Sequence, residues 1–328
     1  MQKRIRIWTE RLLAGGILSG DEGLALLEAK GTDLGYLLAG AQQLRQHFKG
    51  DCIALCSIIN AKSGCCSENC AFCAQSVHHS AESPVYDLKS LEEIVAGAHR
   101  AAEQGCHCYG IVTSGSRLQS GPEMERLLEA IRQIRATTRV RPSASLGLLD
   151  RAAAQALAAA GCVVYHHNLE TACSFFPSIC TTHEYGQDVE TVRVAKQAGM
   201  LVCCGGLFGL GESPAQRVEL ALTLRDLQVD SMPINFLAPV DGTPLAGQRQ
   251  LSPMDCLRII ALCRYMLPEC QISVCGGREL NLEEFQSWIF MAGASGMMVG
   301  NYLTMRGRDV QTDLQMIKDA GLSYGSCN

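Results

Sequence analysis

The strongest constraint in this chain is the run Cys66-Ser67-Glu68-Asn69-Cys70-Ala71-Phe72-Cys73. Three thiols spaced four and then three residues apart can converge on one corner of a cuboidal iron–sulfur cluster, for which thiolate is the usual ligand. No fourth cysteine follows at a regular interval, so one iron stays open to a substrate. A structural zinc site normally closes its tetrahedron with a fourth Cys or His. A zinc knuckle, or three unrelated cysteines, is the plainer alternative. Cys65 also precedes Cys66 directly, and the four-residue step to Cys70 selects Cys66 as the first ligand.

The chain around this loop reads as alternating strands and helices. Residues 1–50 form a helical extension: Ser19-Gly20-Asp21-Glu22 caps a segment carrying Leu24, Leu26 and Leu27 with a stop at Gly31, and a second helical pattern runs through Leu37, Leu38 and Leu44. Strands are predicted over 53–59, 109–113, 141–146, 163–168, 201–205, 232–237, 271–275 and 296–299. Amphipathic helices are predicted over 91–104, 123–137, 150–159, 189–198, 214–227 and 253–267. Gly105, Gly161 and Gly199 stand where left-handed helix ends are expected. Eight strands separated by helices imply an α/β fold, a parallel (β/α)8 barrel of the TIM type, whose active-site groups gather at the C-terminal strand ends. The cysteine loop follows the first strand, where that rule places it. An open doubly wound sheet would call for a Gly-rich dinucleotide fingerprint after that strand, and none is present. The expected partition is an N-terminal extension (1–50), the barrel (51–305) and a polar C-terminal tail (306–328) with one short helical pattern.

Composition narrows the setting. The 328 residues carry a net charge of -5, so no basic face advertises nucleic acid. No apolar run reaches membrane-spanning length. Eighteen cysteines in a long chain without a secretory signal point to free or metal-bound thiols in a reducing cytoplasm.

The pattern C-x3-C-x-aromatic-C resembles the signature of the radical S-adenosylmethionine (SAM) superfamily. There the three cysteines hold a [4Fe-4S] cluster, SAM binds its fourth iron, and the aromatic residue, here Phe72, lies near the adenine. Further stretches sharpen the likeness: residues 57–64 and 73–76 around the loop, Tyr165-His166-His167-Asn168-Leu169-Glu170-Thr171, Gly205-Gly206-Leu207-Phe208-Gly209-Leu210-Gly211-Glu212, residues 233–237, Gly242-Thr243-Pro244-Leu245 and residues 300–304. In this order, over about residues 20–320, they closely resemble the biotin synthase family. The resemblance implies sulfur insertion into dethiobiotin, started by reductive SAM cleavage and fed by an auxiliary iron–sulfur cluster. It also implies a homodimer and a flavodoxin- or ferredoxin-type electron donor. It places Gly205, Gly206 and Leu207 beside SAM, Glu170 at the SAM ribose, and Asn168 and Asn235 around the ureido ring of dethiobiotin and the ribose. Asn168 and Glu170, two residues apart on a predicted strand end, are expected to point the same way.

The chain also departs from that family. The usual auxiliary cluster is a [2Fe-2S] held by three Cys and one Arg, and those positions fall on Gly110, Ser143, Cys203 and Ser273. Only Cys203 can serve. Strand alternation places Cys108 on the face of Gly110 and Cys275 on the face of Ser273, with Cys106 below and Cys204 turned outward. A rebuilt auxiliary cluster on Cys203, Cys108, Cys275 and Cys106 is therefore expected, not a standard [2Fe-2S] but a four-iron form able to carry an extra sulfide. Asp188 stands where the family has an Arg near the SAM carboxylate. The competing readings are another radical SAM enzyme on the same barrel, of hydrogenase-maturase or methylornithine-synthase type, and a non-catalytic iron–sulfur or zinc-binding protein.

Overall fold

A computed structural model describes residues 1–325. Eight parallel strands close a barrel: β1 (Cys52–Lys62), β2 (Cys108–Thr113), β3 (Arg141–Ser145), β4 (Val164–His166), β5 (Leu201–Cys203), β7 (Ser231–Phe236), β8 (Gln271–Val274) and β9 (Gly296–Met298), with β9 pairing back onto β1. A short β6 (Gly206–Phe208) pairs with β7 and continues the path of β5 after a break at Cys204-Gly205. The break brings the two backbones so close that a Cβ on Gly205 would lie 2.0 Å from the carbonyl oxygen of Pro233, so only glycine fits.

Strand alternation sorts the barrel into two environments. Tyr109, Ile111, Ala144, Tyr165, Val202, Met232, Ile234, Ile272, Val274 and Met297 belong to the continuous apolar core beneath the outer helices. Their neighbours in the strands, among them Cys108, Gly110, Ser143, His166, Cys203, Ser231, Asn235 and Ser273, point the other way, into the barrel. Apolar side chains thus stabilise the wall, and small, polar and sulfur-bearing ones are left for the lumen.

The outer layer consists of α4 (Leu91–Glu103), α5 (Pro122–Thr137), α6 (Arg151–Ala160), α7 (Tyr185–Gln197), α8 (Pro214–Asp226) and α9 (Pro253–Met266), followed by a single-turn α10 (Arg278–Leu282). Local chemistry starts and stops them. Ser90, Ser213 and Ser252 each close a capping box with the residue three positions on, worth about 1 kcal/mol apiece. Gly105, Gly161 and Gly199 end α4, α6 and α7 with φ of 80°, 96° and 85°. The N-terminal helices α1 (Gln2–Leu13), α2 (Gly20–Leu27) and α3 (Thr32–Lys49) pack onto α8 and α9. The predicted tail helix is α11 (Val310–Asp319). The sequence reading missed β10 (Ser323–Tyr324), which pairs with Cys52 and Ile53. Two residues are too few to show a period.

Candidate active site

The loop after β1 carries the three cysteines and is fixed from within. The Cys66 N–H donates to the Gln75 carbonyl (3.0 Å), the Val77 N–H to the Cys66 carbonyl (2.9 Å) and the Cys73 N–H to the Cys70 carbonyl (2.9 Å). The buried Gln75 side chain accepts from the Gly64 N–H and the Ser63 hydroxyl, both at 3.0 Å. Cys65 takes a left-handed φ of 53° and is exposed, whereas Cys66, Cys70 and Cys73 are half-buried. The three thiols share one environment. A hydrogen bond with Cys180, then burial, holds the Cys70 thiol far above the ordinary thiol range, with the charges of Cys73 and Glu170 adding to it. Burial raises Cys73, and the charges of Cys66 and Glu170 push the same way. Three half-buried thiols with one open side fit a cluster with an open iron.

Two apolar groups flank that open side. Phe72 and Leu207, 135 residues apart, both pack against the small apolar cluster of Ala71, Ile179, Leu210 and Leu237. Beside it, Gly205 N–H donates to Asn168 Oδ1 (3.2 Å), and the Asn235 amide lies 3.4 Å from the Gly206 carbonyl. Asn235 Oδ1 in turn accepts from the Gly276 N–H at 2.9 Å. A Cβ on Gly206 would lie 2.5 Å from the carbonyl oxygen of Glu170. Asn168, Glu170, Gly205, Gly206 and Asn235 therefore form one contiguous surface. One premise needs correcting: β4 ends at His166, and Glu170 has a left-handed φ of 61°, so strand alternation does not orient Asn168 and Glu170. Their side chains still meet, at 3.4 Å, because the loop turns back onto β6. Burial, helped by the Asp188 charge, pushes Glu170 up to about 7.

Asp188 is no exposed anion. It is buried in the first turn of α7, between His167 Nε2 at 2.8 Å and His183 Nε2 at 3.2 Å. Burial alone would raise its carboxyl, but the two imidazoles hold it below the usual range. The other nitrogen of His183 donates to Glu68 at 2.6 Å. The Asp188 hydrogen bond, opposed by burial and reinforced by Glu68, raises His183 from 6.5 to about 9. His183 is thus a cation at neutral pH, standing beside the cysteine loop. Because its pKa is higher folded than unfolded, its stabilisation is complete below 6.5 and is lost as pH rises through about 9. The melting temperatures of the wild type and His183→Gln, measured anaerobically across that window, should differ most at the acidic end and converge above it. A gap independent of pH would contradict the ion pairing.

Deeper in the lumen a second set of thiols converges. Cys56 on β1 neighbours Cys275, just past β8, and its sulfur lies 3.8 Å from the Met297 carbonyl; the Cys275 thiol and burial raise it well above the ordinary thiol range. Burial raises Cys108, with the Cys56 charge adding. Burial likewise raises Cys203, and the charges of Cys56 and Cys108 reinforce it. Cys56 and Cys108 are direct register partners across β1 and β2. Cys56 was missed by the sequence reading, although the alternation that selected Cys108 applies equally to β1. Cys106 precedes β2 and packs into the apolar core, its thiol pushed up to about 12 by burial and by Cys56. Cys204 belongs to the outer core, as parity required.

Residues 61–224 match the radical SAM superfamily and residues 233–323 the biotin and thiamin synthesis associated domain. The chain is 62% identical over 318 residues to the biotin synthase of Syntrophotalea carbinolica, covering 97% of each, and 58% identical to that of Geobacter sulfurreducens over the same share. The chain belongs to the biotin synthase family. Among solved structures, a methylornithine synthase superposes with a TM-score of 0.85 at 21% identity (97% of each chain). The hydrogenase maturase HydG does so with 0.85 at 16% (all of this chain, 76% of that one). At those identities the likeness is one of fold, so neither displaces the family assignment.

As a biotin synthase family member the chain is a radical SAM enzyme using a [4Fe-4S] cluster, SAM and dethiobiotin. Among the lumen positions, Gly110, Ser143 and Ser273 offer no thiolate and no guanidinium. The lumen offers Cys56, Cys108, Cys203 and Cys275 in their stead. Asp188 sustains the His183 cation. Among the described residues no helix is long and apolar enough to cross a membrane.

Proposed function

We propose that this chain closes the sulfur-containing ring of biotin on dethiobiotin with two clusters in one barrel: a SAM-binding [4Fe-4S] on Cys66, Cys70 and Cys73, and an auxiliary cluster on Cys56, Cys108, Cys203 and Cys275. The observation that carries the second site is the convergence of those four thiols in the lumen. Four thiols suit a four-iron cluster; the two-iron form with a guanidinium ligand has no matching residues here. When bound, the clusters and SAM supply the electron, the radical chemistry and the sulfur.

The residues do the rest. Phe72 and Leu207 grip the adenine and keep water out. Glu170, on its strained turn, faces the ribose hydroxyls. Asn168 and Asn235 have their amide oxygens pinned by glycine N–H groups, and each NH2 group spends one N–H inside the site, on the Glu170 carboxylate and on the Gly206 carbonyl, both at 3.4 Å. The second N–H of each is left to donate to the ureido oxygen of dethiobiotin. The thiols of the lumen give up their protons on binding iron, so cluster loading weakens as pH falls. The same reading includes a flavodoxin- or ferredoxin-type donor, a homodimer and a cytoplasmic location, all supported by family membership.

Anaerobic protein loaded with iron and sulfide should contain about eight irons per chain and form biotin from dethiobiotin and SAM in a single turnover. About four irons, or no biotin, would refute the two-cluster reading. Asn168→Ala and Asn235→Ala should each retain both clusters. Each unpaired ureido contact costs about 1–3 kcal/mol, so the KM for dethiobiotin should rise roughly tenfold or more in each variant. Unchanged dethiobiotin kinetics in both would remove them from the substrate site.

A further inference from the structure

The connection from β7 to α9, residues 237–252, is long for a strand-to-helix link, and long connections in compact domains are usually functional. It is built from its own turns. Thr243 donates its N–H (3.1 Å) and its hydroxyl (2.7 Å) to the Val240 carbonyl. The Ala246 N–H reaches the Thr243 carbonyl (3.1 Å), and the Gln248 N–H reaches the Leu245 carbonyl (3.0 Å). Three contacts tie the connection down. Leu245 packs against the apolar cluster that Phe72 and Leu207 also flank. Leu251 and Gln248 close over the glycine turn after β6: a Cβ would lie 3.3 Å from Leu251 at Gly209 and 3.5 Å from Gln248 at Gly211. At the tip, the Gly242 carbonyl accepts from the Ser80 N–H (3.1 Å) and the Ser80 hydroxyl (3.4 Å), on the arm that leaves the cysteine loop. The connection thus reaches from the glycine turn to the cysteine arm, across the two sides that carry Leu207 and Phe72.

We propose that residues 238–248 form a lid over the SAM slot, latched at Gly242 onto Ser80, and that this latch opens for SAM to enter or leave. The inference rests on the reading that Phe72 and Leu207 hold the adenine. The latch fits only glycine. Gly242 has a left-handed φ of 83°, and an added Cβ would lie 2.5 Å from the Ala81 nitrogen and 2.7 Å from its Cα, backbone atoms that move only with the whole arm. It is also the weakest of the three ties. Ser80 and Gly242 are both exposed, so water competes for their two hydrogen bonds. A few solvent-exposed loop bonds break locally without unfolding the barrel. Leu245 is the part of the lid that responds to a ligand: an adenine between Phe72 and Leu207 extends the apolar surface it packs on. SAM therefore favours the closed lid over the open one, and the shift follows from that difference in affinity.

The test uses anaerobically loaded protein without reductant, so that SAM binds and is not cleaved. Hydrogen exchange read by mass spectrometry should slow in peptides covering residues 77–84 and 238–248 when SAM is added. Dissociation of radiolabelled SAM, chased with unlabelled SAM, should be about fivefold faster or more from Gly242→Ala, which forces the latch apart, and from Leu245→Ala, which loosens the lid. Gly247→Ala is the control: its added methyl meets open space on the same loop, and it should release SAM at the wild-type rate. Unchanged exchange in both peptides on adding SAM would overturn the proposal. So would Gly242→Ala releasing SAM no faster than Gly247→Ala. A wild type that retains no SAM at equilibrium would instead sink the adenine reading, and the proposal with it.

Discussion

Replacing Cys73 with Ala is expected to reduce 5′-deoxyadenosine formation to background and to remove about half of the iron. Cys66, Cys70 and Cys73 are the only thiols on the loop itself that turn inward, and each would hold a different iron. Two thiolates leave a cube with two unprotected irons, one of them beside the SAM slot formed by Phe72 and Leu207. Cys73 is the cleanest of the three to replace, because Cys70 has a second sulfur within 3.8 Å that complicates its loss. Cys65→Ala is the control: that residue is exposed on a left-handed turn, and its loss should leave iron content and SAM cleavage unchanged. Full SAM cleavage by Cys73→Ala, or its loss from Cys65→Ala, would shift the register of the site.

The second large effect belongs to the lumen. A Cys56→Ala, Cys275→Ala double variant should keep SAM cleavage, lose the auxiliary iron and make no biotin. These two thiols are neighbours in the lumen, so removing both takes away one whole side of the proposed ligand set together. Small side chains already line the wall nearby, with Gly110, Ser143 and Ser273 in the same lumen, so the barrel should tolerate the change. Cys204→Ala, on the outer face of the same wall, should leave iron and turnover intact apart from the stability lost with a buried sulfur. Iron counting, Mössbauer spectroscopy and product analysis on the three proteins separate these outcomes. A double variant that retains its full iron and makes biotin would disprove the auxiliary site.

Most of the described cysteines are free thiols, and burial sets their state. Burial holds lumen thiols such as Cys108 and Cys203 protonated and unreactive until metal displaces the proton. The outer-core thiols, such as Cys256 and Cys263, pack as small apolar groups.

Sequence alone determined the features whose cause is local. The strands, the serine caps and the glycine stops were legible because propensity and period act over a few residues, and the boundaries moved by only a few positions. The cysteine loop was legible for the same reason: its ligands are close neighbours in the chain. Alternation along single strands even told the inward Cys108, Cys203 and Cys275 from the outward Cys204. What depended on distant segments meeting was not legible. Asp188 read as a lost cation until the fold set it between His167 and His183, restoring a positive charge beside the loop. Cys180 carried no signal, because its meaning lies in a contact with Cys70 across 110 residues. Glu170 reached its place through a left-handed turn that no alternation rule anticipates. Barrel closure alone, by pairing β9 with β1, brings Cys56 alongside Cys275 in the lumen. Spacing encodes neighbours along the chain, and only packing decides neighbours in space.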